Sequence, residues 1–168
     1  YGTTLSNEAS IIVDTRIPRI LGAILIGASL SGCGAVMQSI FKNPLIDPFL
    51  LGISSGAALG CAMGIGIFPS INLSILAFCG AFLSAILILV IGKTTNDISL
   101  ILAGVVISAF LSAITSLIQF FVPAEESQSI TIWLFGSLGL LDYSDVILIF
   151  IGFVLSFGIL FLLHSKIN

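Results

Sequence analysis

Few side chains in this sequence could carry out covalent or acid–base chemistry, and none has the neighbours that catalysis requires. The string Gly52-Ile53-Ser54-Ser55-Gly56 matches the G-x-S-x-G pattern around a nucleophilic serine. Such a serine needs a strand-to-helix turn and a histidine base. Here the string lies in an apolar stretch, and the single histidine of the sequence, His164, is near its far end. An esterase or an intramembrane protease is therefore disfavoured.

The remaining residue types exclude several other classes of function. Cys33, Cys61 and Cys79 lie in apolar stretches without a C-x-x-C spacing or a nearby histidine, which is typical of buried, unreactive thiols. The sequence has no G-x-x-x-x-G-K-[ST] loop for ATP. Its net charge is -3 and it has no basic stripe, so nucleic acid is not a predicted partner. We predict neither a metal nor a cofactor.

One polar side chain, that of Gln38, falls in the last part of a long apolar segment. An unpaired amide in hydrocarbon is costly, so this side chain should face protein or water. A hydrogen bond to another helix and a position along a translocation path both meet this requirement.

The elements that carry these residues are predicted to be membrane helices. Hydrophobic residues make up 58% of the chain and charged residues 8%, against about a quarter charged in soluble domains. A helix needs about 20 apolar residues to cross a bilayer. The uncharged run 48–92 is long enough for two crossings and is interrupted near Phe68-Pro69-Ser70. We predict an all-α, polytopic helix bundle of about five spans, roughly 17–41, 49–67, 72–91, 98–122 and 144–163.

A further apolar piece, 127–141, is too short to cross, because it has only about 15 residues between acidic ends. It is predicted to form a re-entrant or interfacial helix over about 128–138. Trp133 and Tyr143 fit this assignment, since both residue types are common at membrane interfaces.

The turns between the predicted spans contain helix stop and start signals. Asn43-Pro44 should end the first span, and Asp47-Pro48 offers an N-cap followed by a proline at the first helical position. This predicts a tight helix–turn–helix. Asn72, Asp97 and Ser144 are predicted caps of later spans.

Small residues recur at every fourth position along three of the predicted spans. Such faces let helix backbones approach closely, which holds a bundle together in lipid. We predict helix packing as their role, and lining of a permeation path is the alternative. The three faces are Ala23, Gly27, Ser31 and Ala35; Gly52, Gly56, Gly60 and Gly64; and Gly104, Ser108, Ser112 and Ser116.

The distribution of basic residues gives a weak orientation signal. One set of loops carries Arg16 and Arg19, and the other carries Lys42, Lys93 and Lys166. Because cytoplasmic loops are enriched in Lys and Arg, the second set is predicted to be cytoplasmic. Its members are 42–48, 92–97 and 164–168.

The order and spacing of several motifs resemble those of the FecCD family of importer permeases, and the resemblance covers essentially the whole chain. Members of this family serve ferric siderophores, haem and cobalamin. The motifs are Arg16-Ile17-Pro18-Arg19, Gly27-Ala28-Ser29-Leu30-Ser31-Gly32, Gln38, Asn43-Pro44-Leu45-Ile46-Asp47-Pro48, Leu51-Gly52-Ile53-Ser54-Ser55-Gly56-Ala57, Leu102-Ala103-Gly104 and Trp133-Leu134-Phe135-Gly136-Ser137-Leu138.

The resemblance implies a transporter subunit of the cell membrane that is not itself an enzyme. It implies a permease of about ten spans, surrounded by membrane lipid, that forms a homodimer around a central path. Its partners would be cytoplasmic ABC ATPases and an extracytoplasmic solute-binding protein. On that layout this chain looks like a piece of a longer protein that supplies the second to sixth spans. The coupling loop that contacts the ATPase would lie beyond it.

The resemblance also implies roles for individual residues. Arg16 matches the first arginine of R-x-P-R, which in the family pairs with an acid on the docked binding protein, and snorkelling to lipid headgroups is the alternative. Asn43 and Leu45 match the turn that narrows the path at its cytoplasmic side in the cobalamin importer. Asp97 falls at the second gating turn, where that importer has small hydroxyl residues instead. Gln38 is a further candidate for the path.

These inferences favour a permease subunit of an ABC importer for iron chelates or cobalamin. The alternative is a secondary transporter or channel subunit, which would use ionisable residues near the bilayer midplane. The predicted spans have no charged residue there.

Overall fold

The computed structural model describes residues 12–49, 51–92, 97–139 and 141–167, and every regular element within these ranges is helical. The predicted all-α fold is therefore confirmed. A π-helical turn, Ile12–Arg16, leads into six α-helices: α1 (Ile17–Phe41), α2 (Ile53–Gly66), α3 (Leu73–Gly92), α4 (Asp97–Phe121), α5 (Ala124–Phe135) and α6 (Tyr143–Ile167).

Four segments of these helices are long and apolar enough to cross a membrane: Ile12–Phe41, Leu73–Ile91, Ser99–Phe121 and Tyr143–Leu162. The helix in the predicted span 49–67 is shorter. With 14 residues, α2 is about 21 Å long, against a hydrocarbon core of about 30 Å. The helix α5 has 12 residues, about 18 Å, as expected for a segment that does not cross.

The late start of α2 corrects the prediction that Asp47 caps this helix. The Asp47 Oδ1 atom instead accepts a hydrogen bond from the N–H of Phe49 at 2.8 Å, which forms a local turn. A second turn follows, with the N–H of Gly52 donating to the carbonyl of Phe49 at 3.1 Å. Gly52 has a φ of 76° and is the N-cap residue. A left-handed backbone of this kind suits glycine, so α2 begins only at Ile53.

The caps of α3 and α6 can be compared with their predictions. As predicted, Asn72 precedes α3, and its Oδ1 atom accepts from the N–H of Ser74 at 2.9 Å. The prediction for α6 was wrong, because the cap is Asp142 rather than Ser144. Asp142 Oδ1 accepts from the N–H of Asp145 at 2.9 Å, and the N–H of Asp142 donates back to Asp145 at 3.2 Å. This reciprocal pair is a capping box.

The chain divides into two compact units. In the unit Met37–Gly136, α2 packs closely against α3 and also contacts α4. The buried residues of α2 are small: Gly56, Gly60, Cys61, Ala62 and Gly64. A Cβ on Gly60 would lie 2.8 Å from the carbonyl carbon of Leu76 in α3. The small-residue face of α2 therefore brings two backbones into contact.

In the unit formed by Tyr1–Val36 and Ser137–Asn168, fewer of the described residues are buried than in the other unit. Within α1, the buried residues are Pro18 and Gly22. The α1 residues Leu21, Ile24 and Leu25 face an apolar cavity of about 310 Å³ that α6 lines on its other side. A Cβ on Gly27 would meet no described atom within 4 Å. The small-residue face of α1 therefore has no packing partner at this position among the described residues.

Candidate functional sites

The two arginines of the R-x-P-R motif have different surroundings. Arg19 Nη2 donates to the carbonyl of Gly139 at 3.3 Å. The N–H of Gly139 in turn donates to the Ser137 hydroxyl at 3.0 Å. Arg16 is exposed, and within the described residues its guanidinium makes no hydrogen bond or ion pair. Arg19 therefore fastens a loop, whereas Arg16 has no polar side-chain partner within the described part of the chain.

The same loop is fastened to α1 at a second point by an apolar contact. A Cβ on Gly22 would lie 2.6 Å from Cδ1 of Leu141, so the leucine side chain occupies the space that glycine leaves. Together with the Arg19 bond, this contact holds the segment between α5 and α6 against the first turns of α1. Neither contact was predicted, because each joins residues about 120 positions apart.

The start of α6 carries an acidic cap close to these residues. Asp142 Oδ1 accepts from the Ser144 hydroxyl at 2.7 Å and from the N–H of Asp145. These hydrogen bonds, the Ser144 hydroxyl first, hold the pKa of the Asp142 carboxyl below its ordinary value. A carboxylate at this position also interacts favourably with the helix dipole.

The turn after α1 brings together three of the residues predicted to line the path, Gln38, Asn43 and Leu45. The N–H of Asn43 donates to the carbonyl of Gln38 at 3.2 Å, and that of Lys42 donates to Ser39 at 3.4 Å. Lys42 has a φ of 48°. These bonds and the left-handed residue are the features of a Schellman motif. The backbone hydrogen bonds of this motif therefore hold Asn43 next to Gln38 at the end of α1.

Side-chain hydrogen bonds hold this turn further. Gln38 Nε2 donates to the carbonyl of Ile46 at 3.4 Å, and Asn43 Oδ1 accepts from the N–H of Leu45 at 3.0 Å. Ile46 is 2% exposed, whereas Leu45 is 82% exposed. The Gln38 amide thus bonds to the turn that follows its own helix, and the Leu45 side chain projects away from the turn.

The fourth predicted path residue, Asp97, is the first residue of α4, and its side chain lies outside the described part of the chain.

A polar junction that the sequence did not reveal lies at the N-terminal end of α2. The buried Ser84 hydroxyl of α3 donates to the carbonyl of Gly52 at 2.8 Å. A Cβ on Gly52 would lie 3.0 Å from Oγ of Ser108 and 3.3 Å from the carbonyl oxygen of Gly104, both in α4. The small-residue faces of α2 and α4 therefore meet at Gly52, and α3 ties the same residue by a hydrogen bond.

The described residues contain no metal-binding constellation. No group of three or more His, Cys, Asp or Glu side chains within them is arranged to hold a metal ion. The expectation of three buried thiols holds for Cys61 only, because Cys33 and Cys79 are exposed on the chain.

Comparison with known proteins links the whole chain to one family and to several of its curated members. The profile described as the FecCD transport family matches residues 2–168. The probable iron chelatin transport system permease protein of Helicobacter pylori is 52% identical over 100% of this chain and 52% of that protein. The Fe(3+) dicitrate transport system permease protein FecC of Escherichia coli is 34% identical over 99% of this chain and 52% of that protein. The vitamin B12 import system permease protein BtuC of Salmonella arizonae is 34% identical over 86% of this chain and 46% of that protein.

A solved structure has the same fold. It is described as an inward-facing conformation of a metal-chelate type ABC transporter, and it matches with a TM-score of 0.88 at 32% sequence identity. The match covers 97% of this chain and 53% of that one. The chain thus spans about half the length of the relatives it matches.

Proposed function

The chain belongs to the FecCD transport family, and we propose that it forms part of the transmembrane permease subunit of an ABC importer. It lies in a multi-pass protein of the cell membrane, since four of the helices that the structure describes are long and apolar enough to cross. The observation that carries the proposal is the match to a metal-chelate type ABC transporter over 97% of the chain at a TM-score of 0.88.

The proposed substrate is a metal chelate, with an iron chelate such as a ferric siderophore or haem preferred over cobalamin. The Helicobacter pylori relative named for iron chelatin is 52% identical. The relatives named for ferric dicitrate and vitamin B12 are each 34% identical. The higher identity supports an iron chelate as the first substrate to test.

The subunit would provide a path and would not hydrolyse ATP itself. The proposed partners are a second permease subunit, cytoplasmic ABC ATPases and an extracytoplasmic solute-binding protein. The sequence supports this division of labour, because it contains no G-x-x-x-x-G-K-[ST] loop. In this arrangement Gln38, Asn43 and Leu45 would form the turn at the cytoplasmic end of the path, and Asp97 would stand at a second turn on that side.

Arg16 is the proposed docking residue for the solute-binding protein. Its guanidinium is exposed, and a planar fork of donors suits directional pairing with a carboxylate. The neighbouring Arg19 is already committed to the carbonyl of Gly139. This difference supports Arg16 as the arginine of the motif that contacts a partner.

The test is reconstitution of the transporter that contains this chain, with its ATPase and binding protein, in proteoliposomes. We expect binding protein loaded with a ferric chelate to stimulate ATP hydrolysis and uptake of radiolabelled iron. Arg16→Ala should lower both, and Arg16→Glu should lower them further because it adds like-charge repulsion. Iron uptake that continues without the ATPase would contradict the proposal and favour a secondary transporter.

A further inference from the structure

The π-helical turn before α1 leaves one backbone carbonyl without a helical donor. In the i→i+5 pattern of Ile12–Arg16, the carbonyl of Val13 would accept from the N–H of residue 18. Residue 18 is Pro18, which has no N–H. In an α-helical pattern, the ring of Pro18 would instead clash with the carbonyl of Asp14. The proline thus accounts both for the wider turn and for the unpaired carbonyl of Val13.

Tyr143 provides the missing donor. Its hydroxyl donates to the carbonyl oxygen of Val13 at 2.8 Å, although the two residues are 130 positions apart in sequence. Tyr143 is the first residue of α6 and lies between Asp142 and Ser144 at the capped end of that helix. One hydroxyl group therefore ties the π-helical turn to a helix end that has its own hydrogen bonds.

Arg16 is the last residue of this turn, three positions after Val13. Its guanidinium has no polar partner among the described residues, so the direction of the side chain depends on the backbone of the turn. We propose that Tyr143 is a positioning residue, which orients Arg16 toward a carboxylate of the solute-binding protein by holding the carbonyl of Val13. This inference rests on the proposed function, specifically on docking through Arg16.

A double-mutant cycle tests the proposal. The affinity of the solute-binding protein would be measured for the transporter in nanodiscs as wild type, Tyr143→Phe, Arg16→Ala and the double variant. We expect Tyr143→Phe to weaken binding about three- to tenfold, the range that one hydrogen bond carries. In the Arg16→Ala background, the same change should cause no further loss, because Tyr143 acts only through Arg16. Additive losses would overturn the proposal.

Ser144→Ala is the matched control. It removes a hydroxyl from the neighbouring residue, and that hydroxyl bonds to Asp142 and not to the π-helical turn. The control should bind like the wild type. A loss equal to that of Tyr143→Phe would show that any disturbance of this helix end weakens docking, and it would also overturn the positioning role.

A second measurement needs no binding protein and separates this inference from the proposed function. A nitroxide spin label at Asp14→Cys, in a chain whose native cysteines are replaced, would report the mobility of the turn. We expect Tyr143→Phe to raise that mobility and Ser144→Ala to leave it unchanged. Unchanged mobility in Tyr143→Phe would refute the tie itself. Raised mobility, together with an Arg16→Ala variant of normal affinity, would refute docking through Arg16 and with it the positioning role.

Discussion

Gly56 of α2 and Gly80 of α3 lie backbone against backbone, so that a Cβ atom on either residue would overlap the carbonyl oxygen of the other. One turn further along α2, Gly60 makes a similar contact with the backbone of Leu76. Lipid is as apolar as a leucine side chain, so close packing and polar contacts hold membrane helices together. The association of α2 with α3 therefore depends on positions that carry no side chain.

Gly56→Ala should destabilise the folded chain by about 1–3 kcal/mol, the usual cost of an overpacked contact. The added methyl would meet backbone atoms of α3, which cannot rotate away as a side chain can. The measurement is the unfolding midpoint of the chain in detergent, followed by circular dichroism. Gly27→Ala is the control, because a Cβ there would meet no described atom within 4 Å. Equal midpoints for the two variants would contradict the prediction.

Ser84→Ala should also lower the midpoint, but by a smaller amount. Ser84 is 5% exposed, and its hydroxyl donates to the carbonyl of Gly52 at 2.8 Å. Hydrogen bonds between membrane helices contribute about 0.6 kcal/mol on average. Ser116→Ala is a matched control, since the Ser116 hydroxyl bonds to Ser112 within its own helix. If both variants unfold at the same point, the bond between α3 and Gly52 contributes nothing to stability.

The sequence predicted those features that depend on local chemistry. The first helix ends at Phe41 because Pro44 follows closely and because the turn after it supplies its own hydrogen bonds. Asn72 caps α3 through bonds to residues two and three positions away. Each of these features needs only a few neighbouring residues, so residue types and spacing were sufficient to predict them.

Other features depend on competition or on distant partners. Asp47 could cap a helix or close a local turn, and the structure contains the turn. Asp142 and Ser144 are both suitable cap residues, and the structure uses Asp142. Periodicity marked a small-residue face on α2 but could not identify α3 as its partner. The orphan carbonyl of Val13 follows from Pro18 only when the i→i+5 pattern of the turn is known.

The cap of α6 predicts a dependence of stability on pH. The pKa of Asp142 is lowered from 3.8, chiefly by the hydrogen bond from the Ser144 hydroxyl and then by the N–H of Asp145. A lowered pKa in the folded state stabilises the fold above the unfolded-state pKa, and this contribution is lost as the pH falls through the folded-state value. At neutral pH the wild type should therefore unfold at a higher temperature than Asp142→Asn, and the difference should close below pH 3.8.

Midpoints of both proteins across an acidic pH series provide the measurement. Ser144→Ala serves as the comparison, because without its hydroxyl the pKa of Asp142 should move back toward 3.8 and less stability should be lost on acidification. A difference between wild type and Asp142→Asn that persists unchanged in acid would show that ionisation of Asp142 does not contribute.

The length of α2 makes the number of membrane crossings a direct test of the architecture. The helix covers about 21 Å, and its flanking turns contain internal hydrogen bonds. The N–H of Phe49 bonds to Asp47 before the helix, and the N–H of Phe68 bonds to Met63 after it. Turns whose polar groups are partly paired can lie closer to the hydrocarbon than open loops. We therefore expect α2 and its two turns together to cross the membrane, with Leu45 and Ser70 on opposite sides.

Single cysteines at Leu45 and Ser70 test this expectation. Native Cys33 and Cys79 are exposed, so they are replaced first, together with Cys61. A membrane-impermeant maleimide is then applied to intact cells and to inverted vesicles. Ser70→Cys should label in intact cells and Leu45→Cys in inverted vesicles, because the turn that follows Lys42 is expected on the cytoplasmic side. Labelling of both from one side would make α2 a re-entrant helix and reduce the crossings to the four long helices. Labelling with the sides exchanged would retain the crossing of α2 and reverse the orientation.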